Sequence, residues 1–444
     1  MDKLLNKGNM DSGNMEERTM DGCIVDSCTM DMERLLDKYA RLVVCTGVNL
    51  QKGQLLVVNS PLECADFARR IAGAAFAAGA RDVKVNWSDE QLARIRLEEA
   101  AAEVFDEFPD WRRDMFMDFK ARGAAVVSIH ASDPMIFQHV EPDKLLRSKR
   151  ASGKALLEYR QAMMNNELRW CVVSIPTEGW ARKVFAGIDG AQAVEKLWQA
   201  IFRAVRLETG QEEADPVEAW QRHIDFLQRA CRFMNEQQFA ALHYTNGLGT
   251  ALTVKLPKGH VWAGGAEIAG DGVRFVANMP TEEIYTLPDR NGVDGVVYAS
   301  KPLNYNGSLI EGMRLEFAAG KVVRAEAARG QEILDKLLAV DEGASYLGEV
   351  ALVPYNSPIS NSGILFYNTL FDENAACHLA FGKAYPTCLQ GGERMDSVEL
   401  LQHGVNDSLV HEDFMIGTAD LAIEGIRADG SRVQVFRDGN FAIG

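Results

Sequence analysis

No stretch of this chain reaches the roughly 18 consecutive apolar residues that a membrane-crossing helix needs. The small-residue run Ile71–Ala80 (IAGAAFAAGA) is too short and too low in side-chain volume. The N-terminal segment MDKLLNKGNMDSGNMEERTMDG lacks the apolar centre of a secretory signal, so the expectation is a cytoplasmic protein without a membrane partner. No CxxC pair occurs among Cys23, Cys28, Cys45, Cys64, Cys171, Cys231, Cys377 and Cys388, which argues against a zinc ribbon or a dense disulfide framework. These cysteines are expected to be free thiols, mostly buried. Positive charge is also in deficit. With 47 Lys and Arg against 63 Asp and Glu the net charge is −16, and no basic stripe offsets it, so nucleic acid is excluded as a partner. An acidic surface attracts cations instead. A phosphate-binding loop is missing too, since GVNLQKGQ lacks the GK[ST] ending and precedes its strand.

What remains is an ordinary globular composition, 47% hydrophobic and 25% charged, over 444 residues. Residues 1–31 are polar, repeat a crude Met-Asp unit and carry no apolar periodicity, so they read as a disordered extension. Residues 32–235 read as an α/β domain. The runs Leu55–Val58, Val83–Trp87, Ala124–Ile129 and Trp170–Ile175 are rich in Val and Ile, as buried strands are. They alternate with helix-length segments Cys64–Ala78, Asp89–Phe105 and Asp143–Asn166, with Gly79 as a stop and Ser88 as an N-cap. That alternation predicts a mainly parallel sheet covered by helices. Two amphipathic segments, Ala191–Leu207 and Val217–Asn235, close the domain; Asp215 caps the second and Pro216 opens it.

From residue 236 to 444 hairpin signals take over. HYTNGLGTALTVKLP, EIAGDGVRFVANMP, LEFAAGKVVRAEA and IEGIRADGSRVQVFRDG pair strands around Asn-Gly, Gly-Asp-Gly, Gly-Lys and Asp-Gly turns. With one helix at Gln331–Ala339, this half is predicted to be an α+β domain of mostly antiparallel strands.

Chemistry concentrates in the last third. Of the eight histidines, two are singled out, His378 (FDENAACHLAFGKAY) and His411 (VNDSLVHEDFMIG), each in an acid-containing segment. On an extended strand His411 and Asp413 share one face. Glu373 and His378 are five apart, unlike the HExxH spacing, and chelate together only if one lies in the turn entering a helix. Glu283 in NMPTEEIYT and Glu349 in YLGEVALVP stand beside apolar strands, where a carboxylate must be paired or metal-bound. Taken singly, each is more often a capping or ion-paired structural residue. Together Glu283, Glu349, Glu373 and Asp413 balance two divalent cations, with two imidazoles completing a neutral cage. Oxygen-rich ligation of this kind suits zinc, cobalt, manganese or magnesium. Such a pair would supply a metal-activated hydroxide as nucleophile.

The segments NMPTEEIYT, DEGASYLGEVALVPYNSPIS, FYNTLFDENAACHLAFGKAYP and GVNDSLVHEDFMIG resemble the thermophilic-aminopeptidase family, the group of aminopeptidases T, S and II. GQLLVVNSPLECADFAR, AGARDVKVNWSDE, WCVVSIPTEGWA and DPVEAW extend the likeness through the first half, so it covers Met32 to the end. The resemblance implies that Glu283, Glu349, Glu373, His378, His411 and Asp413 hold the metals and that Tyr385 acts in catalysis. It also implies a homodimer with an enclosed active site, acting on peptides of broad sequence. Residues 1–31 have no counterpart in the family, and Ala251 stands where the family often carries an acidic or amide residue.

The resulting expectation is a metallo-aminopeptidase that releases N-terminal residues through a binuclear metal-activated hydroxide. Glu349 would relay the proton, as base, ligand or both, and Tyr385 would donate to the tetrahedral oxyanion. Glu282 is a candidate for the substrate amine, against the alternative of a solvated strand residue. Three competitors stand beside this reading: a binuclear hydrolase of another amide, a non-enzymatic binding protein built on the α/β domain, and a thiol hydrolase prompted by Cys377 beside His378.

Overall fold

The computed structural model describes residues 21–207, 215–305 and 308–443. The first half is built as its sequence pattern requires. Strands Leu55–Pro61, Asp82–Ser88, Ala125–Ile129 and Trp170–Val173 form a parallel sheet, all four linked in parallel register. Helices Ala65–Ala77, Gly190–Ala204 and Pro216–Gln237 bury Phe67, Ile71, Leu197, Ile201, Trp220 and Ile224 into one core beside Leu56, Val58 and Val127. Asp215 caps the last of these, its carboxylate accepting from Val217 N, with Pro216 at the first helical position. The cap of Glu90–Glu99 is Asp89, whose carboxylate accepts from Leu92 N, one residue beyond the expected Ser88. The stretch Asp143–Asn166 is two helices, Pro142–Ala155 and Leu157–Met164.

Two features depart from the sequence reading. The first helix runs Asp21–Leu42, so it begins inside the segment 1–31 expected to be a disordered extension. Leu35, Tyr39 and Leu42 anchor its later turns in the core, and extending a nucleated helix backwards costs little. Residues 1–20 of that segment lie outside the described residues. Secondly, the parallel sheet does not end at residue 235. Strand Asn278–Met279 adds to Trp170–Val173 as a fifth parallel strand, and Ile359, Phe366 and Phe371 pack into the first half's core. The two halves therefore interlock.

The second half is antiparallel. An eight-stranded sheet runs in the order Lys321–Glu326, Arg314–Ala318, Val293–Tyr298, Ala251–Lys255, Ala241–Thr245, Ala422–Ile426, Arg432–Arg437, Asn440–Phe441. A five-stranded sheet runs His411–Met415, His378–Gly382, Leu347–Leu352, Ile284–Thr286, Ala263–Gly264. One core joins them, with Leu242, Leu252, Val254 and Val297 from the larger sheet against Leu347, Val350, Leu352, Leu379, Phe381 and Phe414 from the smaller. Ala251 is exposed on the larger sheet, away from the cavity described below.

Side-chain alternation makes the five-stranded sheet two-faced. Leu379, Phe381 and Phe414 point into the core, which turns His378, His411 and Asp413 to the opposite face. On Leu347–Leu352 the alternation would fail without an irregularity. Leu347 pairs with Phe381 and Glu349 pairs with Ala380, so Gly348 is an extra residue in the ladder. This bulge keeps Leu347 in the core while aiming Glu349 the other way. Only glycine fits there, because a Cβ on residue 348 would lie 2.4 Å from the carbonyl oxygens of both Gly382 and Lys383.

Gly348→Ala is accordingly expected to destabilise the protein by roughly 2–4 kcal/mol and to displace Glu349. Thermal denaturation should show a fall of several degrees, and an unchanged midpoint would mean that the bulge absorbs a side chain.

Candidate metal centre

Beneath the polar face of the five-stranded sheet lies a cavity of about 420 Å³. Its walls include Glu283, Glu349, Glu373, His378, His411, Asp413 and Tyr385, so the structure brings all seven predicted residues to one place. Five of them form two overlapping groups whose ligand atoms lie within 4.8 Å of one another: Glu283, Glu349 and His378, and Glu349, His411 and Asp413. Glu349 belongs to both. Its Oε1 is 3.4 Å from His378 Nε2, and its Oε2 is 3.5 Å from His411 Nε2. His411 and Asp413 share a strand face, as their spacing predicted.

Glu373 stands outside both groups but on the same wall. The segment that carries it is not the helix considered from sequence: Glu373 lies in a 3-10 turn, and His378 opens a strand. Asn374 explains how the turn is placed. Its Nδ2 donates to Leu370 O at 3.1 Å and reaches Glu373 Oε1 at 3.4 Å, while its Oδ1 accepts from the Glu282 amide at 2.7 Å. One buried amide thus ties the Glu373 turn to the Glu283 segment.

Both imidazoles are oriented for cation binding. His378 Nδ1 lies 3.2 Å from Ala376 O, and His411 Nδ1 lies 2.7 Å from Lys383 O. A carbonyl only accepts, so each Nδ1 carries a proton and each Nε2 is the atom that faces the carboxylates and is free to bind a cation once deprotonated. Glu283 Oε2 and Asp413 Oδ1 are buried without a hydrogen-bond donor. A buried carboxylate oxygen in that condition is costly unless a cation meets it. Oxygen donors, two properly turned imidazoles and orphaned anionic oxygens all fit divalent ions.

Electrostatics give the same picture. Burial, with help from neighbouring carboxylates, pushes Glu283 up to about 8 and Glu373 well above the usual range; Asp413 is raised likewise. Burial alone would depress His378, but the Glu349 hydrogen bond and the surrounding carboxylates raise it to about 10. His411 is also raised, Asp413 and Glu349 overcoming its burial. Without cations the site holds protons in their place.

Glu282 is neither solvated nor on the cavity wall. It is 2% exposed, and Arg206 Nη2 donates to its Oε2 at 2.8 Å. His223 accepts from Arg206 on Nδ1 and donates from Nε2 to Thr281 O at 2.7 Å. These first-half side chains brace the segment that carries Glu283, and their separation in sequence hid the role. Cys377 sits on the core face of its strand, exchanging hydrogen bonds with the Val353 backbone, and burial pushes its thiol up to about 12. It faces away from His378, so the thiol-hydrolase alternative is excluded. The other described cysteines are free as expected, with Cys45 exposed and the rest buried.

Tyr385 packs against His411 with ring centroids 5.0 Å apart, and Tyr285 flanks it at 6.1 Å. Burial and then the nearby Glu349 carboxylate hold the Tyr385 hydroxyl protonated, as a donor.

Comparison with known proteins accords with this chemistry. Residues 32–441 match the sequence pattern of the thermophilic metalloprotease family. The chain belongs to that family. Among relatives, aminopeptidase 2 of Geobacillus stearothermophilus is 48% identical over 410 residues, 92% of this chain and 98% of that protein. Aminopeptidase AmpS of Bacillus subtilis is 46% identical over 92% of this chain and 98% of its own length. The solved structure of wild-type AmpT from Thermus thermophilus superposes with a TM-score of 0.86 at 39% identity, covering 93% of this chain and all of that one. The metalloprotease therefore has the expected fold class, an α/β half with a parallel sheet joined to an antiparallel α+β half. Among the described residues no helix is long and apolar enough to cross a membrane.

The shifts fix a pH dependence for the metal-free protein. Folded-state values above the unfolded ones mean stability that is full below the unfolded values and lost as pH rises through the folded ones. For Glu283 that window runs from about 4.5 to about 8, and for His378 from 6.5 to about 10. In chelator, the melting temperature should fall between pH 6 and pH 9, and added divalent ion should restore more of it at the higher pH. A metal-free midpoint that rises across that range would contradict the proton-filled site.

Proposed function

We propose that this metal-dependent aminopeptidase works with two divalent cations per chain, and that Glu283, Glu349, Glu373, His378, His411 and Asp413 hold them. The observation that carries the proposal is the pair of ligand groups sharing Glu349, one oxygen toward each imidazole. Glu283, Glu349 and His378 would hold one ion, and Glu349, His411 and Asp413 the other. Glu373, raised by burial and by the nearby Glu283 and Asp413 carboxylates, completes the set. Cations held there supply Lewis acidity, polarising the scissile carbonyl and lowering the pKa of water.

The chain's own residues do the rest. Glu349, one oxygen toward each imidazole, is positioned as a shared ligand and would also take the proton from the attacking water and pass it to the leaving amine. Tyr385, kept protonated, donates to the oxygen on which negative charge develops, a contact worth about 10²–10³ in rate. With Glu282 committed to Arg206, the substrate's free amine falls to the cluster itself. The enclosing walls from both halves limit the site to an extended chain end. The acidic chain suits a cytoplasmic enzyme acting on peptides, and a homodimer is proposed from its family alone.

A panel of peptides with free and acetylated N-termini tests the activity. The metal-loaded enzyme should cleave only the free-amine set and lose that activity in chelator. Cleavage of acetylated peptides or simple amides would favour the broader amide hydrolase. Tyr385→Phe should lower kcat and kcat/KM together, by up to about 3–4 kcal/mol, with KM little changed. A rise in KM alone would place the hydroxyl on the ground-state substrate.

A further inference from the structure

One carboxylate on the cavity wall is not among the six residues proposed to hold the cations. Glu267 follows the strand Ala263–Gly264, at the start of a short hairpin, and lines the same cavity as the metal ligands. Asn166 Nδ2 donates to its Oε2 at 3.1 Å, and the Tyr285 hydroxyl donates to its Oε1 at 3.4 Å. Both donors are neutral, and no Lys, Arg or His forms an ion pair with Glu267 among the described residues. Of the other buried carboxylates near the cavity, Glu282 meets Arg206, Glu283, Glu349 and Asp413 meet the imidazoles, and Glu373 belongs to the proposed ligand set. Glu267 has two donors and no counter-charge.

Its position relative to the reaction centre follows from Tyr285. Tyr285 lies on the strand Ile284–Thr286 and Glu283 just before it; both line the cavity, while Ile284 between them enters the core. Tyr285 leans past Tyr385, and Glu267 meets the far end of that side chain, its hydroxyl. Glu267 thus shares the cavity with the ligands while belonging to neither ligand group. The scissile carbonyl and the amine beside it must lie at the cluster, which leaves Glu267 to meet the side chain of the substrate's first residue. Trp170 and Met164, from the first half, line the same cavity and suit an aliphatic stem.

We propose that Glu267, held by Asn166 and Tyr285, is the specificity residue that receives the cationic end of an N-terminal arginine or lysine. The reading rests on the aminopeptidase assignment above. Burial raises the Glu267 carboxyl, as expected of a site whose counter-charge arrives with the substrate. Ionised, it offers the paired oxygens that a guanidinium grips through two parallel hydrogen bonds.

The test compares arginyl and citrullinyl derivatives of one chromogenic amide, which match in shape and differ in charge. Wild-type kcat/KM should favour arginine by about tenfold or more, as a charged hydrogen bond requires. In Glu267→Gln that ratio should collapse toward one. Equal turnover of the two substrates by the wild type overturns the proposal without any variant. So does a Glu267→Gln enzyme that loses activity on both alike, which would put the carboxylate on the α-amine. Failure of the metal-loaded wild type to cleave any free-amine substrate would instead defeat the aminopeptidase reading.

Discussion

Four carboxylates crowd one face of a sheet whose other face is a hydrocarbon core, with two imidazoles for company. Carboxylates so placed repel one another and lose their hydration, a cost of several kcal/mol for each if left charged and unpaired. Protons can relieve it, and burial raises Glu283, Glu373 and Asp413 in that direction. Divalent cations relieve it better, because the same charges that repel one another then bind. Much of the surrounding architecture reads as the means of holding this arrangement together.

Three devices do so. Strand alternation sends Leu379, Phe381 and Phe414 one way and His378, His411 and Asp413 the other. The bulge at Gly348 corrects the one strand whose alternation is out of step, and so delivers Glu349 to the centre of the group. Asn374, Arg206 and His223 fix the two segments that are not regular strand, the Glu373 turn and the stretch before Ile284. The last two come from the first half of the chain, whose parallel sheet also accepts Asn278–Met279. The α/β half is therefore part of the site's frame as well as one of its walls.

Much of this was legible in the sequence. Alternating Val-rich runs and helix-length segments gave the parallel sheet, and turn dipeptides gave the hairpins. The two-residue spacing of His411 and Asp413 gave a shared strand face, which the structure has. Glu283, Glu349 and Glu373 were harder to read, since each alone is an ordinary structural glutamate; the family likeness singled them out. What stayed hidden was long-range. Glu282 and Arg206 are 76 residues apart, and Asn166 and Glu267 are 101 apart. No local pattern marks such pairs. The bulge was equally invisible, because Gly348 in an apolar run reads as a weak strand residue until its partners are known. The helix beginning at Asp21 was missed because polarity masked a segment that continues a packed helix.

The central claim is that the cluster sharing Glu349 would hold two cations per chain. Elemental analysis of the purified chain after equilibration with a divalent ion measures this most directly, paired with activity along the titration. The account requires two ions bound per chain at full activity. Full activity at one ion per chain, with the second absent or binding only nonspecifically, would contradict it.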